Sequence, residues 1–276
     1  MTFSIVGRSA DGQAFGVAVA SKFLAVGAAV PAAEAGTGAI ATQSYANLAY
    51  RPDGLALLRG GKSAQATLDA LTAADDERET RQAGIVDATG AAATFTGTDC
   101  HSWAGGSAGP GYAIQGNILT GPDVVAEMER AWLATDVRQP LARRLLAALT
   151  AGDAAGGDRR GRQSAALLVV TPDGGYGGGS DVLVDLRIDD HPAPVPELAR
   201  LLDLHDLYFG KPDPATLVPL DGELADEVRA LLARRGHTGD DLDAALGDWA
   251  GIENYEERLS PGKIDPLLLD KLRAHS

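Results

Sequence analysis

The chain has 276 residues, of which 45% are hydrophobic and 22% charged, a balance typical of a globular protein with a substantial core. Its formal net charge of −14 disfavours nucleic acid and anionic membrane surfaces as partners. The single cysteine, Cys100, excludes an intrachain disulfide, and the sequence has neither a zinc-ligand spacing nor a basic-then-apolar leader, so we expect a cytoplasmic protein with no metal and no other cofactor.

Short strand patterns and helical patterns follow one another in pairs along most of the chain. Runs of β-branched residues around turn residues predict hairpins, and apolar residues three and four apart predict helices. In chain order, the patterns predict strands 2–6, 15–20 and 38–44, helices 51–59 and 63–73, strands 82–87 and 91–96, helices 122–134 and 140–151, strands 164–171 and 181–188, and a helix over 195–208. Ser63 is expected to cap the second of these helices.

Hairpins separated by helices predict an α+β fold of antiparallel sheets with helices on their outer faces. A parallel doubly wound sheet is excluded, because it would need a helix between nearly every pair of strands. The composition changes to a proline-bearing linker at 210–214. Beyond it, helical patterns over 220–233, 238–250 and 266–274 come without a strand signal. We therefore expect two domains, a sheet-containing domain over 1–210 and a small all-α domain over 218–276.

Thr2 is the first candidate for chemistry, because it becomes the first residue if Met1 is removed. A small second residue permits that removal, and an α-amine with a pKa of about 8 could then accept the proton of the adjacent hydroxyl. Lys22 follows the second strand, and in an antiparallel hairpin it would lie beside Thr2 and lower the pKa of the amine. The alternative is an ordinary second residue and a solvated lysine at a strand end.

Two further groups of residues have the composition of a binding site. The loop over 156–164 holds three arginines and Asp158 between glycines, so its charges, Arg160 among them, could clamp a carboxylate or simply pair with one another. Carboxamides at Gln43, Asn47 and Asn117 are suited to aligning a substrate or stabilising an oxyanion, although they are also common turn residues.

Several longer motifs resemble one known family. They are Thr2–Val6, Gly16–Gly27, Arg81–Gln82, Gln115–Asn117 and Gly156–Gly161. Together they resemble the DUF1028 family, whose function is not established, over Thr2 to about Phe209. That family is grouped with the N-terminal nucleophile (Ntn) hydrolase-like superfamily, whose fold is an αββα four-layer sandwich of two antiparallel sheets between helices. The segment Leu220–Arg273 is similar to a peptidoglycan-binding domain.

The resemblance implies hydrolysis of an amide bond in a small or peptide-like substrate, with Thr2 as nucleophile and Lys22 near it. It gives no role to Gln43, Asn47, Asn117, Asp158 or Arg160, which we take as candidate substrate-binding residues. It further implies a homo-oligomer, and a glycan fragment as a partner of the C-terminal domain. The competing hypothesis is a non-catalytic binding or scaffold protein that uses the same fold, with its C-terminal helices engaging a glycan or a protein.

Overall fold

The computed structural model describes residues 2–274. Met1, whose removal the nucleophile hypothesis requires, lies outside the described residues. The chain divides into two compact units, Met1–Leu201 and Leu202–Ser276. Between residues 2 and 274, no helix combines the length and the apolar character needed to cross a lipid bilayer.

Two antiparallel sheets form the centre of the first unit. The strands, in chain order, are β1 (Thr2–Arg8), β2 (Phe15–Ser21), β3 (Pro31–Glu34), β4 (Gly38–Ser44), β5 (Arg81–Asp87), β6 (Ala92–Thr96), β7 (Gly105–Gly109), β8 (Tyr112–Asn117), β9 (Ser164–Val170) and β10 (Val182–Ile188). One sheet has the order β10-β9-β2-β1-β8-β7 and the other the order β3-β4-β5-β6. The first strand therefore lies in the interior of the larger sheet, between β2 and β8.

Helices cover the outer faces of both sheets. They are α2 (Tyr50–Arg59), α3 (Ala64–Ala73), α4 (Asp123–Ala134) and α5 (Leu141–Ala154). The short helix α1 (Val26–Ala29) lies elsewhere, because its buried Val26 belongs to the core between the sheets. The pair α2 and α3 packs on the smaller sheet, and α4 and α5 pack on the larger one. The layers thus run helix, sheet, sheet, helix, which confirms the predicted α+β class and the αββα sandwich.

Small aliphatic residues fill much of the space between the two sheets. Val6, Val17, Ala41 and Val86 are fully buried there, and each comes from a different strand. Since side chains alternate along a strand, Phe3 on β1 faces the helical layer instead. A Cβ at Gly152, inside α5, would lie 2.7 Å from Met128 Cγ and 3.2 Å from Phe3. This close packing explains why position 152 is a glycine, and α5 continues through it to Ala154, beyond the end that the sequence predicted.

The start of α3 is capped from two places in the chain. The predicted cap Ser63 accepts the N–H of Ala66 at 3.3 Å. Asp87, at the end of β5, accepts the N–H of Ala64 at 2.9 Å through Oδ2. The other oxygen of Asp87 accepts the N–H groups of Thr89 and Ala91 in the turn to β6. One buried carboxylate therefore connects a hairpin of the smaller sheet with the helix that covers it.

The second unit is mainly helical. Helix α6 (Pro194–Phe209) crosses the division at Leu201, and α7 (Gly222–Arg234), α8 (Leu242–Glu253) and α9 (Pro266–Ala274) follow. The structure adds a two-residue ladder, β11 (Val218–Pro219) with β12 (Lys263–Ile264), for which the sequence gives no strand signal.

The core of the second unit combines aromatic and aliphatic side chains with one buried ion pair. Trp249 and Tyr255 pack among leucines of α7, α8 and α9. Arg258 donates to Asp265 Oδ2 at 2.6 Å and to the carbonyl of Leu207 at 2.7 Å, and both charged side chains are buried. Because each charge has a partner, the pair is compatible with the surrounding apolar core.

Candidate functional site

Thr2 begins the central strand of the larger sheet and is 5% exposed. Its Cα pairs in register with that of Asn117 on β8. On the other side, Thr2 Oγ1 lies 3.1 Å from the hydroxyl oxygen of Ser21, the last residue of β2. The hydroxyl of Thr2 therefore lies at one end of the sandwich, with polar residues on both neighbouring strands.

A network of buried carboxamides fills the space between the sheets next to Thr2. The Nε2 of Gln43 donates to Gln82 Oε1 at 2.8 Å, to the Gln115 carbonyl at 3.2 Å and to the Thr2 carbonyl at 3.3 Å. Asn117 Nδ2 donates to Gln82 Oε1 at 2.9 Å. Two of the predicted carboxamides, Gln43 and Asn117, are thus brought together beside Thr2.

Ser4 and Gln82 complete this network. The Ser4 hydroxyl donates to Gln43 Oε1 at 2.7 Å and accepts from Gln115 Nε2 at 2.6 Å. Gln82 Nε2 donates to the Gly116 carbonyl at 2.7 Å and to Thr96 Oγ1 at 2.9 Å. Buried amides are tolerated only when they are hydrogen-bonded, and a satisfied network of this kind holds its members in one arrangement.

Sequence reasoning did not single out Ser4, Gln82 or Gln115 as site residues. Gln82 and Gln115 stood within the motifs that carried the family resemblance, but nothing local indicates that their side chains face one another. The one signal available was that Gln82 and Gln115 are long polar residues in otherwise apolar strands. Both side chains are fully buried in the structure.

The glycine-flanked loop wraps Asp158 into the same end of the sheet. The Asp158 carboxylate, only 2% exposed, accepts the backbone N–H of Lys22 at 2.7 Å, the N–H of Arg160 at 2.8 Å and the Arg160 guanidinium at 3.3 Å. Asp158 also forms a β-bridge with Leu119, just past β8. Since β2 and β8 flank β1, Asp158 joins the two strand ends on either side of Thr2.

Lys22 reaches this site through its backbone. It follows Ser21 directly, and its N–H is held by Asp158, whereas its side chain is exposed. The predicted proximity of Lys22 to Thr2 is therefore a proximity of chain positions, with the ammonium group extending toward solvent.

Asn47 belongs to a different cluster. Its Nδ2 donates to Asp75 Oδ2 at 2.9 Å, and Arg81 Nε donates to the same oxygen at 3.0 Å. Burial alone would raise the pKa of Asp75, but the hydrogen bonds from Arg81, Asn47 and the Glu77 N–H outweigh it and hold that pKa well below its usual range. In this position Asn47 stabilises a buried charge and does not join the network around Gln82.

A small cavity lies against the strand ends and the loop. It has a volume of about 40 Å³ and is lined by residues that include Phe3, Ser21, Asp153, Asp158 and Arg162. A polar space of this size holds one or a few water molecules. It offers no room for a large ligand in this conformation.

The fold and the site define the class of the first unit, an αββα sandwich with a threonine at the start of an interior strand and buried carboxamides beside it. The chain belongs to DUF1028, described as "Family of unknown function (DUF1028)", whose model matches residues 2–198. Residues 208–272 match a second model, "Putative peptidoglycan binding domain". Both resemblances seen in the sequence are thereby confirmed.

One solved structure supports the family assignment. Protein SPO2555 from Silicibacter pomeroyi, assigned to DUF1028, is 31% identical, covers 82% of this chain and 92% of its own, and superposes with a TM-score of 0.66. Anbu (ancestral beta-subunit) from Yersinia bercovieri is 14% identical over 73% of this chain and 93% of its own, with a TM-score of 0.33, too low to support an argument. A comparison with curated proteins finds no significant match.

Proposed function

We propose that the first unit is an amidohydrolase of the N-terminal nucleophile type, which acts on a small or peptide-like amide after removal of Met1. The observation that carries the proposal is the position of the Thr2 hydroxyl, at the start of an interior strand and 3.1 Å from the Ser21 hydroxyl. A hydroxyl beside its own chain terminus has nucleophile and base in one residue.

The proposed reaction proceeds in two stages. The α-amine of Thr2 takes the hydroxyl proton while Oγ1 attacks the substrate carbonyl. The C–N bond then breaks, the departing amine receives that proton, and an ester to Thr2 remains. Water, deprotonated by the same amine, hydrolyses the ester and restores the hydroxyl. The chain supplies the nucleophile and the base in these steps, and the other reactants are the substrate amide and one water molecule.

The amide network supports this proposal by holding the strand that carries Thr2. Gln43 donates to the Thr2 carbonyl, and Asn117, opposite Thr2 in register, is fixed by Gln82. A nucleophile gains most from groups that are already in place before the reaction. Gln43 and Asn117 act here as positioning residues for Thr2.

One observation favours the alternative, a non-catalytic binding protein. Thr2 is only 5% exposed, which limits the access of a substrate to its hydroxyl. In that case the sandwich is a scaffold, and the match of residues 208–272 supports a glycan fragment as ligand of the second unit.

Under either function, we propose domain bounds of 1–210 and 218–276, a cytoplasmic location and a homo-oligomer. Sedimentation of the purified protein tests the oligomeric state.

Intact mass and two variants separate the alternatives. We expect wild-type protein to lack Met1 and to hydrolyse members of a panel of amides, Thr2→Ala to be inactive, and Thr2→Ser, which keeps a hydroxyl, to retain activity. An active preparation with Met1 fully retained, or turnover by Thr2→Ala equal to wild type, removes the hydrolase. Binding of soluble peptidoglycan fragments to the full chain without any amide turnover supports the alternative.

A further inference from the structure

We propose that the substrate is an acidic amide whose carboxylate is bound by a cationic rim of Lys22, Arg159 and Arg160. This inference rests on the proposed function, because it names the substrate class for the same site. The term cationic rim refers to these three residues throughout. Their side chains are exposed, and their backbones are fixed to the two strand ends that flank Thr2.

Backbone contacts place all three residues close to the start of β1. Lys22 follows Ser21, the hydroxyl partner of Thr2, and its N–H is bound by Asp158. Arg159 donates its N–H to the carbonyl of Ile118 at 3.1 Å, and Ile118 follows Asn117, the register partner of Thr2. The backbones of the rim residues therefore lie at the ends of the two strands that flank β1.

Ile118 shows that this end of the sheet is held in an unusual conformation. Its φ is 48°, in a region that β-branched residues rarely adopt, because the Cβ crowds the backbone. The residue is held from two sides, by Arg159, which donates to its carbonyl, and by His101, whose carbonyl accepts its N–H at 2.9 Å. Strained residues of this kind cluster at functional sites.

The charges of the rim are only partly neutralised. The nearby Arg162 pairs with Asp153 at 2.7 Å, and Arg160 shares Asp158 with two backbone N–H groups. Within residues 2–274, neither the Lys22 ammonium nor the Arg159 guanidinium forms an ion pair. Such a cluster stands out in a chain whose net charge is −14.

Two carboxylates, those of Asp190 and Asp185, lie on the β9 side of Lys22. Asp190 accepts from the side chain of Gln163, which precedes β9, and Asp185 pairs with Arg187 on β10. Strand β9 is two positions from β1 in the sheet, about 10 Å at the usual spacing between strands. Arg159, whose backbone is held at the end of β8, lies on the other side of β1 from both acids.

Guanidinium and ammonium groups select carboxylates by charge and by paired hydrogen bonds. A substrate whose carboxylate lies a few bonds from the scissile amide could reach the rim while its carbonyl approaches Thr2. A neutral amide of the same size would lose that contact. Acidic amides, such as acyl groups that end in a carboxylate, are thus the preferred class.

Two matched pairs of probes test the proposal on the full-length protein. Calorimetry compares succinate with neutral succinamide, and an absorbance assay compares N-succinyl-4-nitroanilide with N-butyryl-4-nitroanilide. The variants are Arg159→Gln and Lys22→Gln, and the control is Arg138→Gln, an exposed arginine before α5. Helix α5 has 14 residues, so the control lies about 21 Å from the loop that holds Arg159.

We expect succinate to bind and succinamide not to bind, with Arg159→Gln weakening succinate binding about tenfold, as for the loss of one charge-assisted hydrogen bond. The control should bind as wild type does. Binding of succinate that is equal in Arg159→Gln, or no binding at all, overturns the rim, as does faster turnover of the butyryl than of the succinyl anilide. Binding with the expected pattern but no turnover of either anilide supports the rim and removes the hydrolase.

Discussion

Ser4 on β1 donates its hydroxyl hydrogen to Gln43 Oε1 on β4, at 2.7 Å, across the interface between the two sheets. The rest of that interface is largely Val and Ala, which do not fix how one sheet is aligned with the other. If one sheet slid along the other, the amides of the network would move away from their partners and buried polar groups would be left unpaired. The network therefore determines the alignment of the sheets as well as the surroundings of Thr2.

Replacing Gln82 with Leu should destabilise the first unit strongly. The change removes the acceptor that Gln43 and Asn117 share, and it removes the side-chain donor to the Gly116 carbonyl. We expect a loss of about 3 kcal/mol in the free energy of unfolding, measured by urea denaturation. The control Gln13→Leu, on an exposed turn, should change the urea midpoint little. A Gln82→Leu variant as stable as wild type would mean that the network contributes nothing to stability.

Replacing Gly84 with Ala should displace Gln115. A Cβ at Gly84 would lie 1.9 Å from Gln115 Oε1, whereas nothing lies within 4 Å of a Cβ at Gly121, the control position. Gly84→Ala should therefore lower the thermal midpoint and Gly121→Ala should leave it nearly unchanged. In the double variant Gly84→Ala with Gln115→Ala, the decrease in thermal midpoint should be smaller than the sum of the two single-variant decreases, because the clash is gone. Strict additivity would show that the two positions are independent.

The buried ion pair of the second unit should be sensitive to the loss of its cation. Arg258→Met leaves Asp265 charged and buried, and removes the donor to the Leu207 carbonyl. Breaking such a pair costs about 3–5 kcal/mol, so amide hydrogen exchange in α7 to α9 should accelerate markedly. The exposed pair of Arg273 with Glu227 is the control, and Arg273→Met should leave exchange unchanged. Equal exchange in the two variants would contradict this assignment.

Asp75 should make the first unit sensitive to acid. Burial opposes its ionisation, but bonds from Arg81 and Asn47 hold its pKa well below the unfolded value of about 3.9. Since the folded pKa is lower than the unfolded pKa, the stabilisation is complete above the unfolded value and is lost as the pH falls toward the folded pKa.

The thermal midpoint of Asp75→Asn should accordingly be lower than that of wild type at neutral pH, and the gap should narrow below about pH 4. The neighbouring exposed residue provides the control, because Asp76→Asn makes the same change in net charge. A gap that stays constant down to pH 2 would show that Asp75 does not titrate as described.

Local signals were sufficient to predict much of the fold. The strand Gly38–Ser44 and the cap Ser63 agree with the structure because their patterns depend on neighbouring residues alone. Strand β8 was not predicted, since Gln115 and Asn117 interrupt its apolar pattern although both are buried. Strand β7, with the sequence Gly-Gly-Ser-Ala-Gly, lacks any residue that favours a strand and exists through its pairing with β8.

The candidate site, too, could be predicted only in part from local patterns. The predicted residues Gln43 and Asn117 gather near Thr2, and Asp158 joins the strand ends beside it, because strand order brings them there. Asn47 was grouped with them by residue type but pairs with Asp75, which only the path of the β4–α2 loop determines. Facing side chains from different sheets, such as Ser4 and Gln43, cannot be paired from spacing along one chain.

The carboxylate of Asp87 has a consequence for how this unit assembles. It caps a helix that begins 23 positions earlier in the chain, while its second oxygen shapes the turn of its own hairpin. The helix start therefore gains its full stability only once the hairpin is formed, and the hairpin turn is reinforced by the same group. Local and distant structure thereby become mutually dependent, so this half of the sandwich should fold and unfold as a single cooperative block.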